Sequence, residues 1–409
     1  MDCLSLEACC KLEFLFFFKM FYNALLLMLG ILLYPLKFII PVKRGLCVFG
    51  ADKGFNFSQN SRYFFLYMLE NHKEEYHYVW VTQSKKIVKQ LKEKGLPVVH
   101  NLSPKGILYS LSAEYTIFST GFFDVLFSHT KKGKHFFYLT HGMPTKYCHY
   151  DFVMKASLIS KINGKLSEVF IRPQRIDTVS FIPADSEFFK KIMVGCCRNP
   201  NVYVTGEPRT DILLKLNQSE VKKQFGFAPD DFIVSYMPTH RYYGKGPMTP
   251  DIFRNNPAAI EFFKKNKIKV VWKHHMNMVP LNYHNVGYDD CFADFSNIGI
   301  DSQYMYAMSD IMITDHSGVY IDYLLFRRPI IFYWYDNFEQ DDTPLYYKPN
   351  ELGIGAVCRD ETEMLELIKK YFGGGKQPNP QVDFHEYHDS GSCERVYKAV
   401  FKGDVSQFK

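Results

Sequence analysis

From Leu46 onward the chain alternates short apolar runs with longer stretches whose apolar residues recur at helical spacing. The runs predict strands at Leu46–Phe49, Tyr78–Thr82, Tyr115–Phe118, Phe136–Thr140, Thr178–Ile182 and Val202–Val204. A second series is predicted at Phe232–Tyr236, Val270–Trp272, Ile311–Thr314 and Pro329–Tyr333. Many of these runs are apolar without alternation, the pattern of strands covered by helices on both faces. Between them the spacing predicts helices at Ser61–Asn71, Lys86–Lys94, Ser186–Val194, Pro257–Asn266 and Val319–Phe326. Alternating strand and helix implies an α/β fold with doubly wound parallel sheets. Two such series imply two Rossmann-like domains, residues 45–205 and 206–385, parted near Gly206-Glu207-Pro208. A two-domain α/β enzyme is expected to bind its substrate in a cleft between the halves. Glu361 to Phe401 reads as helical with a break from Gly373 to Pro380, and residues 386–409 form a C-terminal helix and tail.

Residues 1–44 follow another pattern. Leu15 to Ile40 is almost wholly apolar but is interrupted by Lys19, Asn23, Pro35 and Lys37. Its cleanest stretch, Ala24 to Tyr34, is about 11 residues, whereas a spanning helix needs about 20. The leading expectation is a membrane-associating helical segment lying in one leaflet, with Lys37, Lys43 and Arg44 on anionic headgroups. A single membrane span and a buried core helix are the competing readings. No small-residue cleavage site follows, which argues against a secretory signal.

At 409 residues the chain is long enough for two domains. Apolar residues make up 47% and charged residues 22%, so a folded protein is expected rather than a disordered one. The net charge of +6 suits anionic substrates or anionic lipid and is too small to imply nucleic acid, for which no recognition motif is present. There are 10 cysteines and no Cys-x-x-Cys pair, so no structural zinc is expected. There is no Gly-x-x-x-x-Gly-Lys loop, which excludes P-loop chemistry.

The candidate chemistry lies where predicted strands end. Ile311 to Thr314 reads as a buried strand, Asp315-His316-Ser317-Gly318 as its turn, and Val319 begins a helix. Ser317 and Gly318 therefore fall where free backbone N–H groups favour a phosphate; an unliganded N-cap is the plain alternative. Thr140-His141-Gly142-Met143-Pro144-Thr145-Lys146 repeats this logic: His141 suits a general base on a hydroxyl and Lys146 a phosphate partner. Pro238-Thr239-His240-Arg241 follows another strand, and Thr239 and Arg241 suit phosphate oxygens. Lys273-His274-His275 follows the next; adjacent histidines on extended chain point to opposite sides, so only one faces a ligand. The Arg209 turn reads as a phosphate contact or a surface salt bridge. Single turns are weak signals. Four or five together describe a site that works by positioning and electrostatics.

At these residues the sequence resembles the CDP-glycerol glycerophosphotransferase family of teichoic acid primases and polymerases. The resemblance runs from about Leu46 to Phe372. Ser309 to Gly318 follows the family's Ser-Asp-x-Leu-Ile-Thr-Asp-Tyr-Ser-Ser, and Asp322-Tyr323 and Arg328 to Phe332 also fit. His141, Gly142, Pro144 and Lys146 match His-Gly-Thr-Pro-x-Lys. Gly206, Pro208, Arg209 and Asp211 match Gly-x-Pro-Arg-x-Asp. Pro238, Thr239 and Arg241 match Ala-Pro-Thr-Trp-Arg, and Lys273 and His275 match Arg/Lys-x-His. Ser58 and Asn60 match Tyr-Ser-x-Asn. His316, Gly318, Met143, His240 and Met276 depart from the pattern.

The resemblance implies a GT-B-type fold and a CDP-glycerol or related CDP-polyol donor. It also implies a lipid-linked polyol-phosphate or glycan acceptor at the cytoplasmic membrane surface, and no metal or cofactor. Transfer would release CMP, with His141 and His275 as catalytic residues. Lys146, Arg209, Thr239, Arg241, Lys273, Asp315, Ser317, Gly318 and Asp322 would bind substrate. A glycosyltransferase using a nucleotide sugar and a non-catalytic binding module are the other readings.

Overall fold

The computed structural model describes residues 21–152, 162, 165–166, 169–170, 175–239, 252–273, 291–296, 300–335, 344–377 and 379–406. The chain divides into two compact units, residues 1–141 with 153–182, and residues 142–152 with 183–409.

The first unit holds five strands: β1 Lys43–Gly50, β2 His77–Thr82, β3 Val98–His100, β4 Ala113–Phe118 and β5 His135–Tyr138. They form one parallel sheet in the order β3-β2-β1-β4-β5. Leu46, Val48, Val79, Val81 and Ala113 pack with Val125 in its core. Helices Gln59–Asn71, Lys85–Glu93 and Pro104–Ser112 connect the strands. The last two start on serine N-caps, Ser84 and Ser103, whose side chains accept from the N–H of Ile87 and Gly106.

Two short strands follow, β6 Ile182–Ala184 and β7 Val202–Val204. The second unit then adds β8 Phe232–Tyr236, β9 Ile268–Trp272, β10 Phe292–Asp294, β11 Ile311–Thr314, β12 Ile330–Tyr333 and β13 Ala356–Cys358. These six form a parallel sheet in the order β10-β9-β8-β11-β12-β13. Val234, Tyr236, Val270, Ile311, Ile313 and Ile331 share one core with residues of helices Pro257–Lys265 and Glu361–Phe372.

Both sheets run outward from their first strand and then reverse. The reversal lies between β1 and β4 in one unit and between β8 and β11 in the other. At such a switch point neighbouring connections leave in opposite directions, and a crevice opens beyond the carboxyl ends of the strands. The predicted α/β class with parallel sheets is present, and each sheet brings its predicted turns to that edge.

The N-terminal apolar segment is helical over 21–33, with a further turn at Leu36–Ile39. Among the described residues no helix is long and apolar enough to cross a membrane. Leu26 is buried against Leu111, Leu126 and Phe127, and Tyr22, Leu29 and Leu33 pack on the same cluster. Phe21, Leu25, Met28 and Leu32 share another face of this helix by their spacing, and all four are exposed. The helix is thus apolar on two faces, and only one of them is packed.

Candidate functional site

In the first unit the site forms around the turn after β5. Thr140 has φ of 60°, a left-handed conformation that strains a β-branched residue. Asn60, fully buried near the start of helix Gln59–Asn71, holds it there. Its Nδ2 donates to the carbonyls of Leu139 (2.8 Å) and Thr140 (3.2 Å). His141 follows directly and is exposed.

The neighbouring turns are fastened at the β1–β4 switch point. The Asp124 carboxylate accepts from the N–H groups of Lys53 (2.7 Å), Ser119 (3.1 Å) and Thr120 (2.7 Å). Burial pushes its pKa up to about 6, against the pull of these N–H donors. Thr120 Oγ1 in turn donates to Asp52 at 3.0 Å. Sequence reading missed Asp52 and Asp124, which shape the edge on which His141 stands.

In the second unit the β8–β11 switch point is clasped by Thr239 and Asp315. The Thr239 N–H and Oγ1–H both donate to Asp315 Oδ1, at 2.8 and 2.5 Å. Lys273, just beyond β9, is joined to the same edge by its N–H bond to the Tyr236 carbonyl (3.0 Å). Burial lowers the Lys273 pKa, and the Asp301 carboxylate opposes that shift. Ser317 and Gly318 follow Asp315 and lead into the short helix Val319–Tyr323. A Cβ on Gly318 would lie 3.2 Å from the Met143 carbonyl, so glycine permits this close approach. His316 is buried and stacked on Trp334, with ring centres 5.3 Å apart and planes 11° from parallel. The predicted sites Arg241 and His275 lie outside the described residues.

The segment carrying Lys146 belongs to this unit. The Tyr346 N–H donates to the Thr145 carbonyl (2.9 Å) and the Tyr147 N–H to that of Pro344 (2.9 Å). The hydroxyls of Thr145 and Tyr320 meet at 3.0 Å, and Tyr320 donates to Tyr347 at 2.9 Å. Lys146 is therefore held on the helix that Ser317 and Gly318 begin.

Arg209 is buried, a different setting from the surface salt bridge that the sequence allowed. Its Nη2 lies 2.9 Å from Asp322 and 3.3 Å from Glu207, both carboxylates fully buried. Burial raises the pKa of Asp322, while Arg209 draws it down. Gly142 has φ of 135°, and a Cβ there would come within 2.7 Å of Arg209 Nη2. The guanidinium, paired with Asp322, thus lies against Gly142, where glycine leaves room for it. Asp211 accepts the N–H groups of Ser392 and Cys393, both at 2.8 Å, and so anchors the start of helix Ser392–Phe401. Among the described residues no group of three or more His, Cys, Asp or Glu is arranged to hold a metal ion.

Residues 32–402 match the family model described as CDP-Glycerol:Poly(glycerophosphate) glycerophosphotransferase. The chain is 26% identical to a teichoic acid poly(glycerol phosphate) polymerase of Bacillus subtilis strain 168, over 89% of this chain and 50% of that protein. It is 24% identical to the Bacillus spizizenii protein of the same name, over 85% of this chain and 89% of that one. It thus spans only half the length of the first of these relatives. A solved structure of the wall teichoic acid polymerase TagF superposes with a TM-score of 0.67, at 18% identity over 90% of this chain and 91% of that chain. A TagF variant soaked with CDPG gives 0.68, at 17% identity over 95% and 98%. At these identities the structural likeness speaks to the fold.

Proposed function

Because this chain belongs to the CDP-glycerol:poly(glycerophosphate) glycerophosphotransferase family, we propose that it moves a polyol phosphate, glycerol phosphate first, from a CDP-polyol to an acceptor hydroxyl. The acceptor oxygen attacks the β-phosphorus, the bond to the α-phosphate oxygen breaks, and CMP leaves. His141 takes the hydroxyl proton. Lys273, Lys146, Ser317 and the Gly318 amide hold phosphate oxygens, with Arg241 and His275 assigned alongside them from sequence; Thr239, whose N–H and hydroxyl both go to Asp315, fixes the loop rather than taking the phosphate that the sequence suggested. Asp315 orients Thr239, and Arg209 and Asp322 shape the backbone beside His141. In this reading the two parallel-sheet units form a GT-B-type pair.

The observation that carries the proposal is the Thr239–Asp315 clasp at the switch point, with Lys273 and the Ser317–Gly318 turn on the same sheet edge. The names of the relatives and the CDPG soak of a TagF variant support a cytidine-diphosphate donor. The test supplies CDP-glycerol, CDP-ribitol and UDP-sugars in parallel with membrane lipid extract. CMP release from a CDP-polyol, with a phosphodiester product by mass, is expected. Release of UDP or UMP instead would establish the glycosyltransferase reading.

We place the enzyme on the cytoplasmic face of a bacterial membrane, working on a lipid-linked acceptor for a teichoic acid or capsule-type polymer. The unpacked stripe Phe21, Leu25, Met28 and Leu32 supports this, with Lys43 and Arg44 exposed nearby in the chain. Changing Leu25 and Leu32 together to Gln should weaken binding to anionic vesicles at least roughly tenfold, since each leucine buries about 1.5–3 kcal/mol of apolar contact. The soluble activity should stay intact. Equal sedimentation of variant and wild type with the vesicles would refute this placement.

A further inference from the structure

A groove of about 550 Å3 opens in the second unit, away from the clasped strand ends. Pro329, which immediately precedes β12, and Arg327, two residues earlier, line it. It therefore lies at the amino edge of this sheet. Thr239, Asp315 and Trp334 follow the carboxyl ends, one strand length away, roughly 13 Å for four residues.

The far wall comes from the segment after helix Glu361–Phe372, with Lys376, Asn379, Asp383 and His388. Arg327 and Lys376 are both exposed. Among the described residues neither side chain has an ion-pair or hydrogen-bond partner. Arg327 is fixed in place by its backbone: it ends a helical turn with φ of 53°, and its N–H bonds the Leu324 carbonyl at 3.0 Å. Gln377 pins the opposite wall, accepting the Ile330 N–H at 2.6 Å. The groove is thus a framed concavity with two uncompensated cations and one acid, Asp383. A low-dielectric wall behind unpaired cations concentrates positive potential. The Asn379 amide and the His388 ring add donors and acceptors for hydroxyl groups.

We propose that this groove binds polyol-phosphate repeats of the acceptor polymer at a distance from its reacting end. Such a chain presents one phosphodiester charge and free hydroxyls in each unit. Arg327 and Lys376 would each take a phosphate, and Asn379 and His388 the hydroxyls between them. A second grip raises the effective concentration of the reacting end and keeps a growing chain on the enzyme. The inference rests on the polyol-phosphate reading of the active site.

The test uses the full chain, synthetic poly(glycerol phosphate) of about ten repeats, and glycerol phosphate as the one-unit control. The double variant Arg327→Ala/Lys376→Ala should bind the oligomer about tenfold more weakly, the loss of charge-assisted contacts worth roughly 1.4 kcal/mol. CMP release with a one-unit acceptor should be unchanged, and the products should be shorter. The oligomer should slow hydrogen exchange at residues 375–388 in the wild type. Unchanged oligomer affinity in the variant, or protection elsewhere only, overturns the proposal. So does CMP competing for the groove as well as the oligomer, which would mark a nucleotide site. If the wild type fails to turn over CDP-polyols, the reading of the active site falls, while direct titration still reports on the groove.

Discussion

His141→Ala is expected to lower kcat for polyol-phosphate transfer by about 10²–10⁴-fold, the usual contribution of a positioned general base. Affinity for the CDP-polyol should change little, because the donor's phosphates are assigned to Lys273 and the Ser317–Gly318 turn. Single-turnover transfer and equilibrium titration of the donor separate the two effects. His141 is exposed and follows a turn fixed by Asn60, and a thermal melt of the variant checks that the fold is kept. Near-normal turnover in this variant would remove His141 from the mechanism.

Arg209→Met is expected to destabilise the second unit by about 3–5 kcal/mol, the usual cost of leaving buried carboxylates without their partner. Asp322 and Glu207 both lie against this guanidinium with no solvent exposure. Asp185 is also fully buried, and burial and the neighbouring carboxylates raise its pKa well above the usual range. The pH dependence follows from that direction. A carboxyl whose folded pKa is raised holds its proton in the folded state after the unfolded chain has lost it. Such a group costs nothing below the unfolded value of about 4, and its penalty grows as pH rises above that. The deficit of Arg209→Met should therefore shrink toward pH 4 and widen toward neutrality. Denaturant unfolding across this range checks it, and a deficit independent of pH would mean that packing, not charge, is what Arg209 supplies.

The parts of the fold that were legible in sequence are those buried on both sides. Phe232–Tyr236 and Ile311–Thr314 are central strands, and continuous apolar runs disclosed them. Three strands escaped: Val98–His100, Phe292–Asp294 and Ala356–Cys358. Each is three residues long and lies at a sheet edge. An edge strand has one neighbour and less cover, so its sequence needs less apolar content. Helix Pro104–Ser112 was also missed, although Ser103 and Pro104 form an ordinary start signal. Its Gly106 interrupts the apolar spacing, and the helix needs that glycine because a Cβ would fall 2.1 Å from the His100 carbonyl.

The site was legible in another way. Turn residues after strands mark where ligand-facing groups can stand, so His141, Thr239, Asp315 and Ser317 could be named. Which residues pair with which could not be read, because those contacts join distant parts of the chain. Asn60 reaches a turn 79 residues away, and Arg209 reaches Asp322 across 113 residues. Sequence spacing carries no signal for either contact. For the same reason Arg209 could be read as an exposed residue, although its charge is spent inside the protein.

The strained turn at Thr140 bears on how this protein could be improved or spoiled. A left-handed threonine is a place where glycine or asparagine would relax the backbone. Selection for heat resistance alone would favour that exchange, because strain relieved in the native state is stability gained. The residue that follows is His141, whose aim depends on the turn. Ancestral or thermophilic sequences that keep a β-branched residue here would show that the protein has held on to catalysis at the expense of robustness.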